Sequence, residues 1–262
     1  MVEFNEKYIQ WDNKEFEMFT NILSLLSEST DNLLVKEGII RQYSNEKRYI
    51  LNMDITNLVS DKTILLFGIK DKAKLLETLR KQDAAVKFVF SKNKYDIIAD
   101  VTTISITPLQ ESLFKHFYLS KDEYENLIGN YDIINEEYVL DDKIINRLST
   151  FSNTLSSRLL RIEFGDEIVF KITASDNNSP TVIKLFSLKN NSEFKNHYSM
   201  ILTKSILVSP PPLKLSILAS RDKKKLIAKI NGELKNNDKV IPLDIVSFGD
   251  LIEEDGSEIL NY

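Results

Sequence analysis

The chain has 262 residues, of which 42% are hydrophobic, so it is long and apolar enough for two medium-sized domains with cores of their own. It has no cysteine, which excludes disulfides, thiolate metal sites and cysteine nucleophiles, and its net charge of −5 argues at first against nucleic-acid binding. No apolar run approaches the ~18 residues of a membrane span, and the first residues lack the pattern of a signal peptide. We therefore expect a cytoplasmic protein.

The first part of the sequence predicts the order helix, hairpin, strand, helix, hairpin. Apolar residues recur at helical spacing in Asn13–Ser27 and again in Asp71–Gln82, which predicts two amphipathic helices. The β-rich runs between and after them predict strands. These runs are Leu33–Arg41, Arg48–Ile55, Thr63–Gly68, Val86–Phe90 and Tyr95–Thr107.

A similar order begins again at Asp142. A helix is predicted over Asp142–Phe151, and Lys121–Ile128 before it is a further helical candidate. The strands that follow are predicted at Leu159–Phe164, Glu167–Thr173, Thr181–Ser187, Tyr198–Thr203, Lys214–Ser220, Lys225–Asn231 and Lys239–Ile245, with a short helix or turn near Lys204–Val208. A repeat of this length predicts an α+β fold with two similar domains. We place them at residues 1–108 and 140–247, joined by an acidic connector (109–139) and followed by an acidic tail (248–262).

Acidic and basic residues are segregated along the chain. Lys70–Gln82 has five basic and two acidic residues, whereas Ser120–Asp142 has one basic and eight acidic residues. Two interpretations stay open: the runs are ordinary solvated faces, or an acidic body carries a local basic surface.

The sequence contains little that indicates catalysis. The only histidines, His116 and His197, do not have the spacing of a zinc site, and the seven glycines are too scattered for a phosphate-binding loop. The adjacent carboxylates at 136–137 and 141–142 fit a solvated connector. We expect no enzyme activity, no metal and no cofactor. A nuclease site assembled from distant acids stays open.

Basic residues on the predicted helices are the strongest positive signal. On the second helix, Lys72, Lys74 and Lys81 lie away from the apolar stripe, with Arg80 near its boundary. Lys143 and Arg147 are four residues apart on the corresponding side of the next helix, and Lys204 lies in the short segment of the second copy. Cations in such rows can contact phosphates without reading bases.

Four stretches of the sequence resemble one known family in order, spacing and pattern. They are Lys14–Ile55, Phe67–Phe90, Asp96–Pro108 and Tyr198–Ile245. Together they cover most of the chain and resemble the DNA polymerase sliding clamps, the processivity factors of replication. The resemblance is strongest to the phage type and more distant to proliferating cell nuclear antigen.

This resemblance implies a homotrimeric ring with antiparallel sheets outside and helices lining the hole. Such a ring encircles double-stranded DNA and tethers the replicative polymerase, and its implied partners are DNA, the polymerase, a clamp loader and other copies of the chain. The seven basic residues, Lys72, Lys74, Arg80, Lys81, Lys143, Arg147 and Lys204, would face the DNA.

Two further sites are expected. Subunits would join by strand pairing between Ile97–Thr107, which contains Ile104, and Thr181–Leu188, which contains Ile183, because both runs would otherwise be exposed edges. A pocket for a partner's apolar peptide is predicted from the connector and the last predicted strand, at Leu113, Phe114, Phe117, Leu243 and Ile245. These side chains either pack permanently or rim a groove. An alternative function is a phage structural or assembly ring that does not bind DNA, with its basic residues scattered over the ring.

Overall fold

The structure is a computed structural model in which the chain divides into two compact units. It describes residues 8–27, 29–60, 64–69, 72–81, 85–91, 93–135, 137–154, 159–174, 181–192, 194, 197–202, 211–222, 224–236, 239–252 and 258–259. Unit 1 is drawn from Met1–Asn45, Leu51–Tyr118 and Glu233–Leu243, and unit 2 from Glu46–Ile50, Leu119–Gly232 and Asp244–Tyr262. The units thus alternate along the chain, and the domain boundaries given above stay a prediction.

The first part of the chain has two helices among eight strands in its described residues. In order they are β1 (Tyr8–Trp11), α1 (Asn13–Ser27), β2 (Asn32–Lys36), β3 (Ile39–Tyr43), β4 (Tyr49–Asp54), β5 (Ile64–Gly68), α2 (Lys72–Arg80), β6 (Val86–Ser91), β7 (Lys94–Ala99) and β8 (Thr102–Ile106), followed by a 3-10 helix (Glu111–Phe114). Strands β1, β6, β7 and β8 form an antiparallel sheet in that order, and β2 pairs with β3 and β5.

Helix α1 begins and ends at the predicted residues. Its start is fixed by a reciprocal cap, because Asp12 Oδ1 accepts the Glu15 N–H at 2.8 Å and Glu15 Oε2 accepts the Asp12 N–H at 3.0 Å. Its apolar stripe is buried, and Phe19 stacks on Trp11 of β1 at 4.6 Å between ring centroids. The Trp11 indole N–H donates to the Leu58 carbonyl at 2.8 Å, so this large side chain is buried without an unsatisfied donor.

Two of the predicted strands are wrong as single strands, because each contains a tight turn. Leu33–Arg41 separates into β2 and β3 at Glu37 and Gly38, which have φ of 56° and 71°. A Cβ at Gly38 would lie 2.5 Å from Thr56 Cγ2, so close packing as well as φ favours glycine there. Tyr95–Thr107 separates into β7 and β8 at Asp100, which has φ of 48°.

The second part of the chain continues with two helices and ten strands in its described residues. They are α3 (Lys121–Gly129), β9 (Tyr131–Ile133), β10 (Tyr138–Leu140), α4 (Asp142–Thr154), β11 (Leu159–Phe164), β12 (Glu167–Ala174), β13 (Thr181–Lys189), β14 (Tyr198–Leu202), β15 (Leu213–Ser220), β16 (Leu226–Asn236), β17 (Lys239–Ile252) and β18 (Glu258–Ile259). Strands β9 and β10 were not predicted. The predicted segment Lys204–Val208 lies outside the described residues.

Unit 2 is built on antiparallel pairing around β11 and β15. Strands β13, β12, β11 and β14 are hydrogen-bonded neighbours in that order, and the end of β17 pairs with β14. Strand β15 pairs with β16 and also with the two short connector strands β9 and β10. Aromatic side chains contribute to its packing: the buried Phe170 stacks on the half-buried Phe186 at 4.2 Å between ring centroids. Part of the predicted connector is thus integrated into a sheet.

Candidate nucleic-acid interface

Helix α4 presents two predicted DNA contacts on its exposed face. Its start is capped by Asp141, whose Oδ1 accepts the Ile144 N–H at 2.9 Å. Ile145 and Leu148 are buried, which leaves Lys143 and Arg147 exposed on the other side and one turn apart. Neither cation forms an ion pair with a described residue, so both can contact an anion.

Of the predicted DNA contacts on α2 and just after it, the structure describes the side chains of Arg80 and Lys81. Leu76 and Leu79 are buried and Lys81, just past the helix, is exposed. Lys72 and Lys74 lie on α2, but their side chains are outside the described part of the structure. Lys204 also lies outside the described residues. The DNA-contact assignments of all three residues stay predictions.

Arg80 differs from the described contacts Lys81, Lys143 and Arg147 because carboxylates already bind it. Its Nη1 lies 3.2 Å from Glu17 Oε1 on α1, and its Nη2 lies 3.9 Å from Glu77 Oε1 on its own helix. The pairing with Glu17 joins residues 63 positions apart in the chain. Sequence reasoning missed it, because charge spacing within one helix gives no information about a neighbouring helix.

The two predicted subunit-contact strands belong to different units. In unit 1, β8 is the last strand of the order β1-β6-β7-β8, and β7 lies inside that sheet. In unit 2, β13 is the last strand of its order, beside β12. Ile104 on β8 and Ile183 on β13 are both half-buried. Within the described residues each strand therefore has one open edge, while pairing between subunits stays a prediction.

The predicted peptide pocket needs correction. Phe114, Leu243 and Ile245 have 4%, 1% and 0% of their surface exposed, so they are core side chains and cannot rim an open groove. Phe114 packs against Leu34 and Leu66 in unit 1. Complete burial removes more apolar surface from water than a place on a rim, which accounts for this arrangement.

The other two pocket residues remain accessible. Leu113 is 58% exposed, and Phe117 is half-buried beside it in the same unit. Of the five predicted pocket residues, these two are the ones that a partner could reach. Leu113 directly precedes the buried Phe114 in the 3-10 helix, and Phe117 follows Phe114 three residues later.

The difference between Leu113 and Phe114 predicts opposite outcomes for neighbouring substitutions. Phe114→Ala should lower the free energy of unfolding by about 3–5 kcal/mol, because it removes a buried ring and leaves a cavity. Leu113→Ala should change it by about 0.5 kcal/mol or less, because that side chain already meets solvent. Chemical denaturation of both variants measures this. Equal stability losses would contradict the placement of Phe114 in the core.

An open cleft of about 750 Å³ lies in unit 2 between α3 and the turn that joins β15 to β16. Leu119, Leu127 and Tyr131 contribute apolar surface, and Arg221 and Lys225 contribute positive charge. The start of α3 is held by a capping box, in which Glu123 Oε2 accepts the Ser120 N–H at 2.7 Å. No sequence pattern predicts this cleft, because its two sides are about 90 residues apart in the chain.

Four carboxyls among the described residues are held in their charged form. Hydrogen bonds lower the pKa of exposed carboxyls: the Ser105 hydroxyl acts on Asp96, the Ser120 N–H on Glu123, the Lys184 ammonium on Glu167 and the Ser220 hydroxyl on Asp222. These groups are held as carboxylates and cannot supply protons near neutral pH. Within the described ranges, no three histidine or carboxylate side chains are grouped so that they could hold a metal ion. None of the described helices is long and apolar enough to cross a membrane.

Known structures share this architecture. Proliferating cell nuclear antigen from Entamoeba histolytica matches with a TM-score of 0.58 at 12% identity, over 92% of this chain and 98% of that one. The PCNA2–PCNA3 complex of Sulfolobus tokodaii matches with a TM-score of 0.54 at 12% identity, over the same shares. The DnaN sliding clamp of Pseudomonas aeruginosa, bound to griselimycin, matches with a TM-score of 0.55 at 13% identity, over 95% of this chain and 67% of that one.

The chain has the sliding-clamp fold. These matches confirm the predicted fold class, an α+β arrangement of duplicated clamp-like domains with antiparallel sheets. By sequence, no protein-family model matches the chain. No curated protein matches it by sequence either.

Proposed function

We propose that this chain is a sliding clamp of the phage type, a non-catalytic homotrimeric ring that encircles duplex DNA and tethers the replicative polymerase. The observation that carries the proposal is the clamp fold, which extends over more than nine-tenths of the chain. Lys143 and Arg147 on α4, which form no ion pair with a described residue, add to it, since a ring that surrounds DNA needs basic groups on its helices.

The charge distribution suits a ring that slides. Such a ring is held on DNA by topology, so its contacts with phosphate must be few and weak. Lys81, Lys143 and Arg147 are exposed and would make screened, sequence-independent contacts that salt weakens. Lys72, Lys74 and Lys204 would join them. The net charge of −5 on the whole chain would repel DNA from other surfaces.

We place the subunit contact between β8 of one subunit and β13 of the next. Each has an open edge within the described residues, and an exposed strand edge is a template for pairing with another chain. Three such contacts would close a ring of six domains, with one domain in residues 1–108 and the other in residues 140–247 of each subunit.

Partner proteins would bind through short apolar peptides. The polymerase's terminal peptide has two candidate places: Leu113 with Phe117 on the connector, or the cleft that contains Leu127. Calorimetric titration of that peptide against Leu113→Ala and Leu127→Ala variants distinguishes them, because only the variant at the true site should lose affinity. A clamp loader would open the ring for DNA.

Retention on circular DNA tests the proposed function directly. Protein loaded by its loader onto a nicked circular duplex should stay bound through gel filtration, and linearising the DNA should release it, because only a closed ring depends on DNA ends. The same protein should lengthen the products of its polymerase on a primed circular template. Equal retention on circular and linear DNA would contradict encirclement. A ring that is never retained on DNA would favour the structural or assembly protein.

A further inference from the structure

Arg80 is one of the predicted DNA contacts, but carboxylates bind it, whereas Lys143 and Arg147 form no ion pair with a described residue. Its guanidinium lies between Glu17 of α1 and Glu77 of α2, at 3.2 Å and 3.9 Å. The three side chains carry one positive and two negative charges. The group around Arg80 is therefore net acidic, although the sequence of α2 is basic.

The three side chains of this group, Arg80, Glu17 and Glu77, are accessible to solvent. The side chain of Arg80 is 30% exposed, and those of Glu17 and Glu77 are 48% and 46% exposed. A phosphate can therefore reach Arg80, but it must compete with the carboxylate of Glu17. Exposed ion pairs are weak, so the competition reduces the phosphate contact without preventing it.

We propose that Glu17 is a positioning residue that keeps Arg80 from binding DNA phosphate tightly and so limits the grip of the ring on DNA. This inference rests on the proposed function. A clamp must remain on DNA without being held at one position, and each added phosphate contact raises affinity and its dependence on salt. The Glu17–Arg80 pair reduces that grip at α1 and α2, while Lys143 and Arg147 on α4 stay available to phosphate within the described part of the chain.

Substitution of Glu17 tests the inference. Glu17→Gln keeps the size of the side chain and removes the charge that holds Arg80. We expect binding to a short fluorescent duplex, measured by anisotropy at low salt, to tighten by about two- to tenfold. The plot of log affinity against log salt should steepen by up to about 0.9 for each new phosphate contact.

Two further variants separate this effect from others. In Glu17→Gln/Arg80→Gln the gain should disappear, because the freed cation is absent. Glu125→Gln is the matched control: it removes the same charge from an exposed pair, that of Lys121 and Glu125 on α3, and should leave DNA affinity unchanged. A gain of equal size in Glu125→Gln would show a general charge effect and overturn the inference.

A purely structural role for the pair gives a different result. If Glu17 only links α1 to α2, Glu17→Gln should lower the unfolding temperature and leave the salt dependence of DNA binding unchanged, which overturns the inference. The proposed function is tested separately by Lys143→Glu/Arg147→Glu. Loss of DNA binding in that variant with no gain in Glu17→Gln rejects the Glu17 role alone, whereas unchanged binding in the α4 variant rejects the DNA-contact assignment on which both depend.

Discussion

Replacing Lys143 and Arg147 together by glutamate should weaken DNA binding by about a hundredfold or more at low salt and abolish stimulation of the polymerase on long templates. Both cations are exposed on α4, and neither is paired with a described residue. If the chain forms the proposed ring, their reversal would remove favourable phosphate contacts and add repulsion in every subunit. Anisotropy titration with duplex DNA and primer extension on a long template measure the two effects.

The fold should survive this double substitution, because α4 is anchored by Ile145 and Leu148 on its opposite face. A matched control is Lys115→Glu/Lys121→Glu, which changes the net charge equally at two exposed connector positions. If the α4 variant and this control bind DNA with the same affinity, general charge explains the loss. If the α4 variant remains fully active in primer extension at moderate salt, α4 does not face DNA.

Replacing Ile183 by aspartate should convert the ring to monomers. The isoleucine is half-buried on β13, and subunit pairing would bury it further beside the incoming strand. Burying an unpaired carboxylate costs several kcal/mol at each contact, which exceeds what a short strand pairing can offset. The molar mass measured by sedimentation should fall from three times the chain mass of 30.2 kDa to that of a single chain.

The companion variant Ile104→Asp on β8 should have the same effect, because it changes the other side of the proposed contact. Val139→Asp is the control: this valine is 55% exposed on β10, which is not part of the proposed contact. Thermal unfolding of all three checks that the subunits stay folded. A parent-like sedimentation coefficient for folded Ile183→Asp and Ile104→Asp would place the subunit contact elsewhere.

The helices could be predicted from sequence because their apolar residues recur at a regular spacing. The predicted bounds of α1 are those observed, and α2 and α4 differ only at their ends. Turns without such a signal were missed. At Asp100 a single positive φ ends β7, with no glycine or proline to mark it.

The candidate site was predictable only in part, because sequence spacing reports on one element at a time. The exposed positions of Lys143 and Arg147 follow from the pattern of α4 itself. The pairing of Arg80 with Glu17 depends on contact between two helices. The burial of Phe114 likewise depends on Leu34 and Leu66, which are about 50–80 residues earlier in the chain.

The alternation of the two units along the chain has a consequence for synthesis on the ribosome. Glu233–Leu243 belongs to unit 1, together with Met1–Asn45 and Leu51–Tyr118. The first unit therefore cannot complete its contacts until residues 233–243 have emerged, after all of Leu119–Gly232. Unit 1 should therefore finish folding only after those residues have been made, and a fragment that ends at residue 118 should be incompletely folded. Nascent chains would then seldom carry a finished unit that could join a ring prematurely.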